Sequence, residues 1–185
     1  QLAANGITPW TPETPALYTL RVHVTANGTA DTAEQRIGIR TIQVSSKTGL
    51  LLNGQPRTMK GGCINHDLGI LGAADHAAAE RRRIRLMKES GFDAIRAAHN
   101  PFGPAFLDAC DELGMLVVEE AFDEWVMGRT SFGLHVTFEQ CWEKDLEDMI
   151  TRDYNHPCIV MWSTGNEVEE RDGTADGFAW AKRLA

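Results

Sequence analysis

The sequence predicts an α/β fold: a few antiparallel strands, residues 1–46, lead into a parallel sheet covered by helices, residues 47–185. Three observations carry that reading. Before about residue 46 the apolar residues recur with period two, the alternation of half-buried strands. From about Thr58 apolar runs alternate with helical repeats, the pattern of a parallel sheet layered with helices. Each apolar run then ends in a polar cluster on its C-terminal side.

The elements follow in order. The opening TPWTPETPALY is Pro-rich and reads as an extended edge or linker. ALYTLRVHVTA (16–26) and AEQRIGIRTIQV (33–44) alternate apolar and polar residues, and Asn27-Gly28 between them is a strong hairpin turn. These read as the last strands of an antiparallel sandwich. LLLNGQPRTMKGG places a small hairpin around Asn53-Gly54. TMKGGCIN is then a short strand and AAAERRRIRLMKESG (77–91) a helix, with Ile84, Met87 and Lys88 on one stripe and Gly91 as its stop. FDAIRAA is a strand, and PAFLDACDELG (104–114) a helix opening on Pro and closing on Gly. MLVVEEA, FEQCWEKDLEDMITRDY (138–154), CIVMWSTGN and ADGFAWAKRLA continue as strand, helix, strand and helix.

Bulk properties narrow the function. Apolar and charged fractions of 43% and 24% are those of an ordinary globular protein. A net charge of −8 has the wrong sign for a nucleic-acid or anionic-membrane partner. No apolar run approaches the ~20 residues of a bilayer span. Cys63, Cys110, Cys141 and Cys158 form no C-x-x-C pair and read as reduced, partly buried thiols. Neither H-x-x-x-H nor H-E-x-x-H occurs, so zinc chemistry has no support. The chain starts on Gln1 and stops within AWAKRLA, which reads as an excerpt of a longer protein; nothing in it assigns a compartment.

The four polar clusters are Asn65-His66-Asp67, Arg96 with His99-Asn100, Glu119-Glu120 through Glu124, and Asn166-Glu167. Parallel strands point their C-terminal ends to one side, so these clusters are expected to converge on one mouth. Glu167 follows an apolar strand and is expected at the rim of a partly desolvated pocket, where burial favours the protonated form that a general acid needs. Asn166 can bind a substrate hydroxyl without competing for that proton. Arg96 can fork onto a carboxylate. His66 and Asp67 can bind sugar hydroxyls or a metal; Trp125 or Trp162 can stack on a sugar ring, Trp162 from within the barrel, or either can be simple core. Glu169 and Glu170 read as exposed loop carboxylates.

RDYNHPCIVMWSTGNE resembles the acid/base signature of glycoside hydrolase family 2, the β-galactosidase, β-glucuronidase and β-mannosidase group. PWTPETPALYTL is similar to the end of that family's central immunoglobulin-like domain. NHDLGILGAA, IRAAHNP, LDACDELGMLVVEEAFDEW and RDYNHP follow in the family's order and spacing, so the resemblance covers essentially the whole chain. HDLGILGAA and AFDEW look most like β-galactosidases.

The resemblance implies a TIM barrel of eight βα units, of which residues 47–185 hold the first four, after the last strands of an immunoglobulin-like β-sandwich in residues 1–46. It implies retaining hydrolysis of β-glycosides by two glutamates. Glu167 matches the acid/base, and Asn166 the residue at the sugar 2-hydroxyl. His66, Asp67, His99, Asn100 and Trp162 are expected to bind substrate, and Arg96 matches the arginine supporting the catalytic carboxylates. Glu124 falls where some members place a magnesium ligand, but Val126 stands where their His is, so no cofactor is assigned and magnesium stays open for the full-length enzyme, as does a homo-oligomer. Ala98 replaces the usual Ser, and Glu119 the usual Asp. The nucleophile, about 5–5.5 Å from the acid in a retaining enzyme, is expected beyond residue 185, so the chain alone is expected to be inactive. Two other readings stay open on the residues: a carbohydrate-binding relative without turnover, and a metal-dependent hydrolase using His66, Asp67 and Glu124.

Overall fold

In the computed structural model, which describes residues 6–185, the expected turns begin the architecture. Asn27 and Gly28 take left-handed backbone, φ 49° and 79°, the conformation a tight hairpin needs. They join β1 (Tyr18–Ala26) to β2 (Thr29–Ile37), paired from Tyr18↔Ile37 to Ala26↔Thr29. The apolar face Leu20, Val22 and Val24 is exposed, and no described residue covers it. Asn53-Gly54 likewise folds β4 (Gly49–Leu52) onto β5 (Gln55–Pro56), with β3 (Ile42–Ser45) on the other side of β4.

The third sheet is wholly parallel. Its order is β6 (Gly61–Ile64), β7 (Ala94–Ala97), β8 (Leu116–Glu120) and β9 (Ile159–Ser163), so each strand lies beside its sequence neighbour. The crossovers are α1 (Ala77–Glu89), α2 (Pro104–Leu113) and α3 (Phe138–Asp153), and α4 (Ala175–Leu184) follows β9. Pro104 opens α2 without leaving an N–H unpaired, and Gly114, at φ 73°, closes it. Ile95, Val117 and Ile159 face Phe106, Leu107 and Cys110 of α2 in one core. Phe122, Trp125, Phe138 and Trp142 form a second one under α3 and α4. Four such βα units in a parallel sheet are a barrel fragment.

The Pro-rich opening is an anchor, not a loose linker. Trp10 is fully buried and its indole N–H donates to the Asp111 carbonyl at 2.9 Å. Lys88 extends from α1 to place its ammonium against the Pro12 and Gly114 carbonyls, at 2.7 and 2.9 Å. Its place beside Ile84 and Met87 therefore uses the alkyl stem, with the charged head bonded. Arg40 donates to the Pro157 and Ile159 carbonyls. The antiparallel segment is thus tied to the end of the parallel sheet opposite the mouth.

One irregularity decides which side chains line the barrel. Val117 pairs with Ile159, but Val118 pairs with Met161, so the register slips by one residue. Strict alternation from the helix-facing Ile159 would turn Trp162 into the barrel. The slip reverses the parity: Met161 and Ser163 share a face with Val118 and Glu120, and Trp162 goes to the helix side with its partner Glu119.

Candidate active site

The C-terminal strand ends are joined side chain by side chain. The His66 ring lies 3.3 Å from the Asn100 carbonyl and stacks on Phe102 at 3.9 Å, linking the ends of β6 and β7. His99 Nδ1 is 3.5 Å from Asp123 Oδ1, beyond β8. Arg96 donates from Nε and Nη2 to both Glu120 oxygens, at 2.8 to 3.1 Å, and from Nη2 to Asn166 Oδ1 at 2.8 Å. Asn166 returns its amide to Asp123 Oδ1 at 3.2 Å, and its backbone N–H to the Phe122 carbonyl. Asn65, His66, Asp67, His99, Asn100 and Asp123 border a shallow cleft of about 290 Å³ at this mouth. His66, Arg96, His99, Asn100 and Asn166 therefore come together, and Asp67, at the edge of the same cleft, uses one carboxylate oxygen to accept the Gly69 N–H at 2.7 Å.

Two placements differ from the sequence reading, and Trp125 takes its core alternative. Trp162 packs against both hydrophobic cores behind the sheet, because of the register slip in β9, and is not a sugar platform inside the barrel. Trp125 is core as well, 5% exposed, its indole bonded to the Thr164 carbonyl. Glu170 is buried, and its Oε1 accepts the Met127 N–H at 2.7 Å.

Arg96 forks onto Glu120, not onto Glu167. Glu120 is fully buried and also accepts the Ser163 hydroxyl at 2.7 Å. The arginine thereby neutralises a buried carboxylate and, with the same nitrogen, fixes the Asn166 amide so that its NH2 faces Asp123. Glu167 sits at φ 44°, a left-handed backbone rare for a non-glycine residue and recurrent at functional sites. Its side chain is 69% exposed, so the desolvation expected for it is not supplied by the described residues.

Two carboxylates at the end of β8, Glu119 and Glu124, are buried but differ in character. Glu119 faces the helices, fully buried, with Oε1 accepting the Phe102 N–H at 2.8 Å and no partner for Oε2 among the described residues. Burial pushes its carboxyl from the ordinary 4.5 to about 8, against the pull of the Phe102 N–H and with a further push from Asp153. Glu124 is also buried, yet it is held down at about 2. Burial is the largest influence and pushes up, but the Arg129 N–H, the His135 ring and the His135 N–H together outweigh it. Their distances are 2.9, 2.9 and 3.2 Å. A side chain on Gly133 would collide with Glu124 Oε1, so only a glycine lets the loop close over this carboxylate.

The donor set at Glu124 does not fit magnesium. Both its oxygens are taken by N–H donors, and the Arg129 guanidinium already stands 4.0 Å away. His66 and Asp67 are engaged elsewhere, as above. Among the described residues one group has metal-ligand spacing, Asp111, His156 and Cys158, with ligand atoms within 4.8 Å of one another. It lies below β9, away from the mouth, and Asp111 already accepts from the His156 ring at 2.6 Å and the Cys158 N–H at 2.9 Å. All four cysteines are free thiols; burial pushes those of Cys110 and Cys158 well up, and Cys63 is exposed.

Asp123, Arg129, His135 and Ser163 were not singled out by the sequence. Asp123 had a signal, since it lies inside the cluster running from Glu119 to Glu124 and in the AFDEW run. Arg129 and His135 sit in the aperiodic stretch MGRTSFGLHV, which carries none.

Comparison with known proteins gives the lineage. The model of the glycosyl hydrolases family 2 TIM barrel domain matches residues 42–185, and a second glycosyl hydrolases family 2 model matches residues 2–40. The beta-galactosidase BoGH2A of Bacteroides ovatus is 43% identical over 179 residues, 95% of this chain and 21% of that protein. A putative beta-glucuronidase of Formosa agariphila is 35% identical, over 95% of this chain and 17% of that protein. Among solved structures, a family 2 member from Bacteroides cellulosilyticus superposes with a TM-score of 0.92 at 42% identity, covering 96% of this chain and 23% of that one. A GH2 beta-galacturonidase from Eisenbergiella tayi, bound to galacturonate, gives 0.83 at 33% identity, over 99% and 33%. The chain thus spans about a fifth of the curated relatives it matches. It belongs to glycosyl hydrolase family 2, and its residues 42–185 are part of that family's TIM-barrel domain.

Proposed function

We propose that the protein containing this chain hydrolyses terminal β-glycosides with retention, β-galactosides foremost, with Glu167 as general acid/base. The observation that carries the reading is the Arg96–Asn166–Asp123 network, which fixes Asn166 beside Glu167 at the open end of the strands. In this reading the Asn166 amide and the His66 and His99 rings bind sugar hydroxyls, and Glu167 protonates the departing oxygen. It then takes a proton from the water that releases the sugar. The other strand-end carboxylates argue for a nucleophile elsewhere: Glu119 faces the helices, Glu120 is bonded to Arg96 and Ser163, and Glu124 holds a loop. Identity of 43% to a beta-galactosidase favours galactosides.

The test uses the full-length protein. Glu167→Gln should lower kcat/KM about 10²–10⁴-fold on alkyl galactosides, the range of general acid–base catalysis. Dinitrophenyl galactoside, whose leaving group needs no proton, should be attacked nearly as fast as by wild type. Azide should restore turnover of Glu167→Ala. Equal loss on both substrates without azide rescue removes Glu167 from the role.

A further inference from the structure

Arg129 is the one cation that touches the candidate acid/base among the described residues, and its loop is built to keep it there. From Nη1 it reaches Glu167 Oε2 at 3.4 Å. From Nη2 it donates to the Asp123 carbonyl at 2.9 Å and to Asp123 Oδ1 at 2.5 Å. Asp123 Oδ1 is the same atom that receives the Asn166 amide. One guanidinium therefore ties the carboxylate of Glu167 to the hydrogen-bond network that fixes its neighbour.

The loop that presents Arg129 is pegged by two buried carboxylates. Glu124 takes the Arg129 N–H on one oxygen and the His135 N–H and ring on the other, so the loop's two limbs close on a single side chain. Glu170 takes the Met127 N–H from the far side. Charge-assisted bonds of this kind are about twice as strong as neutral ones. A surface arginine ordinarily keeps many rotamers, and an exposed ion pair alone contributes little. Here the backbone at Arg129 is fixed first, and the planar fork is fixed by Asp123, so little freedom remains to be lost at Glu167.

We propose that Arg129 is a positioning residue for the acid/base: it holds the exposed Glu167 carboxylate in the orientation from which it reaches the glycosidic oxygen, with Glu124 and His135 as the clamp that sets Arg129. The inference rests on the acid/base reading of Glu167. A misplacement of about 1 Å at a catalytic group is enough to cost on the order of 10²-fold. That loss should follow how much proton donation a substrate needs.

The experiment compares Arg129→Ala, Arg129→Lys and His135→Ala with Glu167→Ala in the full-length protein, each on alkyl and dinitrophenyl galactosides, with melting temperatures measured alongside. Arg129→Ala is expected to lose 10- to 100-fold in kcat/KM on the alkyl substrate and less than about 3-fold on the dinitrophenyl one. Arg129→Lys, which keeps the charge without the fork, should fall between, and His135→Ala should show the same split more weakly. If Glu167→Ala shows the split and Arg129→Ala loses equally on both substrates, or on neither, the positioning role is wrong and the acid/base reading stands. If Glu167→Ala itself shows no split, both fall.

Discussion

Glu119 offers the most quantitative test, because burial and an unpaired oxygen make its charge costly. A carboxyl that titrates near 4.5 when unfolded and near 8 when folded binds its proton more tightly in the folded state. Between those values the unfolded chain carries fewer protons, so stability falls as pH rises, is intact below about 4.5 and is lost above about 8. At about 1.4 kcal/mol per unit, the loss is on the order of 3 kcal/mol by neutral pH and about 5 kcal/mol at its limit. Glu119→Gln keeps the oxygen that accepts the Phe102 N–H and removes the ionisation. At low pH the protonated acid leaves one buried O–H unpaired and the amide leaves two N–H groups unpaired, so near pH 5 the variant should melt at or slightly below wild type. By pH 8 to 9 the variant should melt higher by roughly 10 °C, since about 5 kcal/mol at roughly 2–4 °C per kcal/mol in a domain of 150–250 residues is about 10–20 °C before the cost of the extra unpaired N–H is taken off. Calorimetry of full-length wild type and variant across this range is the assay. A difference in melting temperature that does not grow with pH would refute the argument, because it would mean that Glu119 ionises without penalty in the folded protein.

Arg96→Lys should lower both turnover and melting temperature, by more than 10-fold and by several degrees. A lysine keeps the charge but replaces the planar fork that spans both Glu120 oxygens and Asn166 with a single nitrogen, so the buried carboxylate loses donor geometry, at a cost below the roughly 3–5 kcal/mol of removing the partner outright. An unchanged melting temperature would show that Glu120 does not depend on the arginine. The 185-residue chain expressed alone should hydrolyse no aryl galactoside beyond a Glu167→Gln control, because no strand-end carboxylate among its described residues is free to attack. Turnover above the control would place a nucleophile within it, with Glu120 or Glu124 the first to test.

The sequence by itself determined most of the elements and the end of the sheet at which the four polar clusters gather, but the run 33–44 that reads as one strand is divided between β2 and β3, which belong to different sheets. Strand and helix periods, the Asn27-Gly28 and Asn53-Gly54 turns, and the Pro104 and Gly114 ends of α2 act over a few residues, so they are legible locally. Convergence of the four clusters needs only that the strands be parallel, which their continuous apolar character already implies. Tertiary structure alone decided the pairings. Arg96 meets Glu120 and Asn166 instead of Glu167, and Asp123 becomes the common acceptor, because partners far apart in sequence are chosen by which strand ends lie side by side. Trp162 is a sharper case. Alternation along β9 cannot reveal the slipped register between Val117 and Val118, and that slip moves the indole from the barrel to the helices. Arg129 and His135 had no periodic signal at all. They matter because a buried Glu124 must satisfy its oxygens, and in a low-dielectric interior the nearest N–H donors, wherever the chain brings them from, are drawn to that charge.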